Sequence, residues 1–302
     1  MRDVAVVSFA ERPPVARERE RNEVELVAPV VTQATEAVGL TRRDIGFVCS
    51  GSSDYLVGRP FSFVAAVAGL GPWPPMRESH VEMDGAWALY EAWVRLQHGD
   101  IDTALVYAFG KSSLGDLNEV LVQQLDPYYM APLGADAASI AGLQAQAMVD
   151  AGLLSDPDVG EITTLDGASA VVLATGDRAR ALCERPAWIR GIDHRIEPHS
   201  IGARDLTRSV SAALAADRAK VRNPQAAYLH TPFAHQAVIL EQALGTGDAE
   251  IHTAGGPMMV AGLSNIGAAA RAIHSGEVDR AVAHATSGPC LQQNLVAMLE
   301  AS

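Results

Sequence analysis

The feature that most constrains this chain is an alternation of short β-rich runs with helix-periodic segments from one end to the other. Residues 4–9 are β-rich and lead into a polar connection over 10–22. Over 23–38 the apolar residues Val24, Leu26, Val27, Val30, Val31, Ala34 and Ala37 recur at helical spacing. The rhythm continues with strands at 45–49, 103–109 and 169–174 and helices at 61–70, 86–98 and 137–153. It then starts again: strands at 188–192, 226–230, around Ile251 and at 280–284, with helices at 205–219, 234–244 and 259–274. Residues 293–299 close the chain as a strand or a helix. Strands alternating with helices predict an α/β protein with a substantially parallel sheet. The return of the rhythm predicts two halves of one duplicated βαβ design, 1–178 and 179–302.

Composition narrows the function classes. With 48% apolar and 20% charged residues over 302 positions, the chain can bury a large core and is not a disordered segment. No apolar run reaches the roughly 18 residues a membrane-spanning helix needs. The opening Met1-Arg2-Asp3-Val4 reads as a strand entry rather than a signal peptide, which predicts a cytoplasmic protein. A net charge of −13 argues against nucleic acid as a partner, because that binding relies on clustered cations neutralising phosphates. Cys49, Cys183 and Cys290 are far apart and without CxxC spacing, so neither a disulfide framework nor a cysteine zinc site is expected and no metal is called for. Each is a candidate nucleophile or a small buried hydrophobe.

Four segments can carry chemistry. His80-Val81-Glu82-Met83-Asp84-Gly85 opens a helix, and Glu82 or Asp84 either caps it or serves a site at its positive end. Tyr228-Leu229-His230-Thr231-Pro232-Phe233-Ala234-His235 ends a strand and begins a helix, at the sheet edge where open α/β folds bind ligands. His252-Thr253-Ala254-Gly255-Gly256 places a glycine pair before a helix, where backbone can approach a ligand and offer N–H groups. His284-Ala285-Thr286-Ser287-Gly288-Pro289-Cys290 is a strand end followed by a turn of small residues.

Together these segments resemble the thiolase superfamily, in particular sterol-carrier-type (lipid-transfer-protein) thiolases and their steroid side-chain aldolase relatives, over nearly the whole chain. Asp166-Gly167-Ala168-Ser169-Ala170-Val171-Val172-Leu173 is similar to the family's DGAAAVVL strand, and His230-Thr231-Pro232-Phe233 stands where the subfamily carries HDCF. Gly255-Gly256 matches the NxxGG loop. The resemblance implies a thiolase-like αβαβα layered fold, dimeric assembly and a coenzyme A thioester as substrate or ligand, with no other cofactor.

The departures carry equal information. Aligning Gly85 with the family's motif glycine puts the nucleophilic cysteine on Glu82, and a carboxylate is a far weaker nucleophile toward a thioester. The GHP histidine falls within 262–265, which holds Ser264 and Asn265 and no histidine. The second cysteine falls in Thr286-Ser287-Gly288, with Cys290 out of register. Only His230 keeps its place. The loop domain that covers acyl-CoA in the family is shortened, with only 151–165 joining the helix to the DGASAVVL strand.

Acyl transfer is therefore not expected. The resemblance implies a thiolase-like subunit of a hetero-oligomeric acyl-CoA-processing complex for steroid or lipid side chains, either catalytically silent or a retro-aldolase (a lyase). For the latter, His230, His235, His252, His284, Glu82, Asp84 and Tyr128 or Tyr129 are the candidate acid–base groups, with Gly255, Gly256, Ser287 and Gly288 lining the thioester. Expected partners are a second thiolase-like chain, an OB-fold acyl-CoA-binding protein, or both. Arg59, Arg77, Arg204 and Arg208 are candidate phosphate contacts, or solvated surface charges.

Overall fold

The computed structural model describes residues 1–58, 61–70, 77–123, 125–160, 165–256 and 258–302. In chain order the first half contains β1 (Val4–Val15), α1 (Glu23–Glu36), β2 (Phe47–Gly51), α2 (Asp54–Val57), α3 (Ser62–Leu70), β3 (Glu78–Val81), α4 (Gly85–Gln97), β4 (Thr103–Lys111), α5 (Leu117–Gln123), α6 (Ala137–Asp150) and β5 (Asp166–Thr175). The second contains α7 (Gly176–Leu182), β6 (Ala187–Ile196), α8 (Val210–Arg218), β7 (Ala226–His230), α9 (Gln236–Leu244), β8 (Glu250–Ala254), α10 (Ala261–Ser275), β9 (Arg280–Ser287) and β10 (Gln293–Glu300).

The strands form one ten-stranded sheet in the order β3-β2-β4-β5-β1-β6-β10-β9-β7-β8. The halves meet at β1 and β6 through Ala5 opposite Trp188 and Val6 opposite Ala187. Read outward from that seam, β1-β5-β4-β2-β3 and β6-β10-β9-β7-β8 follow the same order of chain positions.

Side-chain size along the strands sets the layers. In β4 the smaller Ala104, Val106 and Ala108 face α4, while Leu105, Tyr107 and Phe109 face the opposite way. There they meet Leu26, Val27, Val30 and Val31 of α1, each contributing about 1.5–3 kcal/mol by leaving water. The helix α10 is built largely from Ala and Gly and is buried on most sides, as a helix between two sheet faces must be. With α4 it fills a central layer between the half-sheets, and α8 and α9 cover the far face of the second half. The result is the αβαβα layering.

Several elements differ from the sequence expectation. The sheet is mixed: β2 is parallel to β3 and β4, and β7 to β8 and β9, but the pairs β4–β5, β5–β1, β1–β6, β6–β10 and β10–β9 are antiparallel. The β9–β10 turn is too short for the crossover that a parallel pair requires. Instead of giving way to a polar connection at residue 10, β1 continues to Val15, and Pro13 and Pro14 sit in an irregularity of its ladder where no N–H is needed. Ser209 caps α8, its hydroxyl accepting from the Ala212 N–H, so that helix starts at Val210 rather than near 205. Residues 293–299 belong to a strand. Arg59 lies outside the described residues, as does part of the 151–165 connection.

Candidate functional site

Asp84 organises the centre of the molecule. As N-cap of α4 it accepts the Ala86 N–H on Oδ1 at 2.8 Å. Its oxygens also accept two N–H groups at the start of α10, Gly262 on Oδ2 at 3.0 Å and Leu263 on Oδ1 at 3.1 Å. Donation from the Gly85 N–H to the Met259 carbonyl at 2.9 Å completes the cross-tie. Gly262 allows this approach, since a Cβ there would lie 2.6 Å from Asp84 Oδ1. Burial pushes the Asp84 carboxyl up from its ordinary value, and the three N–H groups pull it back. With both oxygens committed to backbone, its evident work is to join two helix N-termini.

Around that joint lies a cavity of about 380 Å³. One wall is apolar and is formed by Leu121 of α5, Leu125 just after it, and Ala137, Ile140 and Ala141 of α6. The cover therefore comes from α5, α6 and the residues between them, upstream of the short 151–165 connection. Facing it are Phe233, Met258, Met259 and Leu291. Polar groups gather at the floor and rim: Glu82, Asp84, His230, Gly255, Gly256, Thr286, Ser287 and Gly288. The four segments read from the sequence thus meet at one place.

His230 is buried at the end of β7, and burial pushes its imidazole down to about 4, partly opposed by a hydrogen bond to the Gly255 backbone. Its Nδ1 accepts the Thr286 N–H at 3.4 Å. The ring is thus neutral at physiological pH and ties the Gly255–Gly256 loop to the end of β9.

His284 is fully buried beside it and does not line the cavity. Its Nε2 meets Asn294 Oδ1 at 2.8 Å, and burial pushes it down to about 3. His235 is buried against Gln144 Oε1 at 3.1 Å, where desolvation lowers it to about 4. Two other sequence candidates lie away from the cavity. His252 stacks on Tyr228 at 4.5 Å, near Glu250 on the edge strand β8. Tyr128 is 81% exposed, with Tyr129 beside it at 70%, because the loop after α5 turns both rings into solvent.

Cys290 was out of register in the sequence, yet it lines the cavity. It sits in a turn with unusual backbone, Cys290 and Leu291 both having positive φ (53° and 58°). The Asn294 amide holds the Leu291 carbonyl at 2.8 Å and Arg204 holds that of Pro289 at 3.0 Å. The thiol points to the Ile140 carbonyl, and burial pushes it up to about 11, with Arg204 opposing. Cys49, buried in the core, is pushed up to about 12 by desolvation.

Sequence reasoning missed His80. It pairs in register with Ser50 and lies two residues before Glu82, and Nε2 meets Glu82 Oε2 at 3.1 Å. The available signal was a histidine two residues before an acid at the end of an extended run, His80 lying in β3 and Glu82 just beyond its last residue. Of the candidate phosphate contacts, Arg77 pairs with Asp100 at 2.9 Å and Arg208 with Asp205 at 2.8 Å. Among the described residues no group of three or more His, Cys, Asp or Glu is placed to hold a metal, and no helix is long and apolar enough to cross a membrane.

No protein-family model matches the sequence, and no curated protein is similar to it. Solved structures are similar along its full length. Human mitochondrial 3-ketoacyl-CoA thiolase superposes with a TM-score of 0.70 at 14% identity, covering 100% of this chain and 99% of that one. The same enzyme in complex with CoA gives 0.69 at 13% identity, covering 100% and 98%. The Ltp2-ChsH2(DUF35) aldolase gives 0.71 at 16% identity, covering 99% and 98%. The chain has the thiolase-like fold.

Proposed function

We propose that this chain is a non-thiolytic, thiolase-like subunit of a hetero-oligomeric complex that processes acyl-CoA thioesters, and that its own cavity receives the acyl end. The observation that carries the reading is a retained cavity without an activated thiol. An apolar wall and a polar floor suit an apolar acyl chain ending in a thioester. Cys290, the cysteine at the cavity, is held protonated by burial, and covalent acyl transfer needs a thiolate.

A second reading, retro-aldol cleavage of a β-hydroxyacyl-CoA, is favoured by the titratable groups on the cavity. A carboxylate at Glu82 takes the β-hydroxyl proton, the Cα–Cβ bond breaks, and its electron pair moves into the thioester as an enolate. Neutral His230, bonded to the Gly255 backbone, holds the Gly255–Gly256 loop in place, backbone N–H groups at the cavity stabilise that oxyanion, and a proton returning to Cα completes the reaction. Purely supporting subunits have no need of such a floor. The similar Ltp2-ChsH2(DUF35) structure is of an aldolase, in keeping with this chemistry and with a second protein in the assembly.

The partner we infer is a second thiolase-like chain, an OB-fold acyl-CoA-binding protein or both, forming a heterodimer or higher assembly, with steroid side chains as the favoured substrate class. The exposed Tyr128, Tyr129, Leu133 and Leu143 on the cover segment offer an apolar surface for it. Three free cysteines suit a cytoplasmic setting. The test is titration of the chain, alone and with co-purified partners, with a long-chain acyl-CoA and with free CoA. Tighter binding of the acyl form, lost when Ile140→Arg fills the wall, is expected. Equal affinity for both, unchanged by that substitution, would remove the acyl cavity from the account.

A further inference from the structure

The segment leading into α4 holds a second layer of chemistry behind the cavity. Glu82 stands on the cavity rim with its side chain 43% exposed, yet both carboxylate oxygens are engaged. Oε1 accepts the Asp54 N–H at the start of α2, and Oε2 meets His80 Nε2 at 3.1 Å. The other ring nitrogen, Nδ1, meets Ser50 Oγ at 3.0 Å. Ser50 is buried at 1% exposure near the end of β2 and directly in register with His80 on β3, so the parallel pairing itself sets that distance. The plane of the imidazole is fixed independently: Phe63 of α3 stacks on it at 4.4 Å and 13°. Asp54 in turn holds the start of α3, accepting the Ser62 N–H at 2.9 Å and its hydroxyl at 2.8 Å.

Such an arrangement exceeds what capping a helix requires, because Asp84 already caps α4. A carboxylate free only to cap or to meet solvent has no use for an imidazole anchored on a buried hydroxyl and clamped by an aromatic ring. We propose that His80 is a positioning residue for Glu82, and that Ser50–His80–Glu82 is a hydrogen-bonded chain that aims the carboxylate into the cavity as the acid–base group of its reaction. Ser50 fixes the tautomer by donating to Nδ1, which leaves Nε2–H to donate to Glu82. Phe63 fixes the ring plane, and the Asp54 N–H fixes the second oxygen. One lone pair on each carboxylate oxygen stays available to a ligand. The proposal rests on the acid–base reading of the cavity, but the chain Ser50–His80–Glu82 can be read without turnover.

Two measurements separate the two claims. In the full-length protein, long-range ¹H–¹⁵N correlation spectra of the histidine rings are expected to show His80 as the Nε2–H tautomer. Glu82→Gln and Ser50→Ala should each shift its ring nitrogens and leave those of His274, which bonds to the Val6 carbonyl, unmoved. His80 signals indifferent to both substitutions overturn the proposal whether or not a substrate is known. In the complex with its co-purified partners, using a β-hydroxyacyl-CoA as probe, His80→Ala is expected to lower kcat about 10- to 100-fold with KM little changed, the range a hydrogen bond to a charged group carries. His80→Gln, which keeps a side-chain N–H donor, should recover most of that loss, and Phe63→Leu should fall between. Full activity in His80→Ala when Glu82→Ala is inactive overturns the positioning role. Full activity in both overturns it as well. Absence of any acyl-CoA-dependent turnover counts against the functional reading alone, and the spectra then decide the proposal.

Discussion

Replacing Asp84 by Ala tests how the centre of this fold is held. The carboxylate is 2% exposed and accepts three backbone N–H groups from two helices, at 2.8, 3.0 and 3.1 Å. Losing the α4 N-cap costs about 1 kcal/mol. The Gly262 and Leu263 N–H groups lose their carboxylate acceptor in a buried position, at roughly 1–3 kcal/mol each. Against this stands relief of the burial cost that pushes the carboxyl up. The net expectation is a loss of about 2–4 kcal/mol, a large share of the 5–15 kcal/mol that typically separates folded from unfolded chains. Asp84→Asn keeps one acceptor oxygen but turns an amide donor toward an N–H donor, and should fall between wild type and Ala. Urea denaturation gives the magnitudes. Native-state amide exchange gives the location, with Gly262 and Leu263 exchanging faster in the Ala variant. A change under 1 kcal/mol, or faster exchange spread evenly over the molecule, would refute the cross-tie.

Other consequences follow from the same geometry. His230 and His284 are pushed down to about 4 and 3, so the unfolded chain binds more protons than the fold as pH drops below 6.5. Their contribution is complete above 6.5 and is lost toward pH 4, at about 2 kcal/mol each by pH 5, so the urea midpoint should fall over that window and His284→Asn should flatten part of the fall. Cys290, raised from 9.0 to about 11, holds roughly a hundredfold less thiolate than an ordinary thiol near neutral pH, and its iodoacetamide alkylation should be correspondingly slow and rise tenfold per pH unit up to about pH 10. Alkylation at pH 7.5 as fast as that of a free thiol would contradict the burial argument. On the proposed retro-aldol reading, His230→Ala should remove about 2–4 kcal/mol of transition-state stabilisation, measured as kcat/KM with any co-purified partners present, whereas His252→Ala on the edge strand should leave it unchanged.

Much of this arrangement is legible in the sequence, for reasons that can be located. The α1, α4 and α10 segments carry helical periodicity or a run of Ala and Gly, and β7 has the same bounds in sequence and structure. Strand-to-helix turns place Glu82, Asp84, His230, Gly255 and Gly256 at one end of the strands, and the β9–β10 turn brings Ser287 and Gly288 to the same place. What periodicity cannot carry is strand direction, so the mixed sheet was hidden. Nor does it show how a side chain is occupied: Asp84 is used up by backbone, His284 lies behind the cavity floor, and Tyr128 turns outward. The strand β3 is four residues long and reads Glu-Ser-His-Val, too short and too polar to register, and with it went the His80–Glu82 contact. Cys290 is placed by positive φ at consecutive residues held by Asn294 and Arg204, contacts distant in sequence or dependent on backbone that no spacing rule anticipates.

The most direct test of the central claim is the intact mass of the purified chain after incubation with a long-chain acyl-CoA and with acetyl-CoA, alongside a binding measurement on the same samples. Saturable, reversible binding of the long-chain thioester with an unchanged polypeptide mass is the predicted result. A mass increase equal to the acyl group, mapped to Cys290, Cys49 or Cys183, would contradict it.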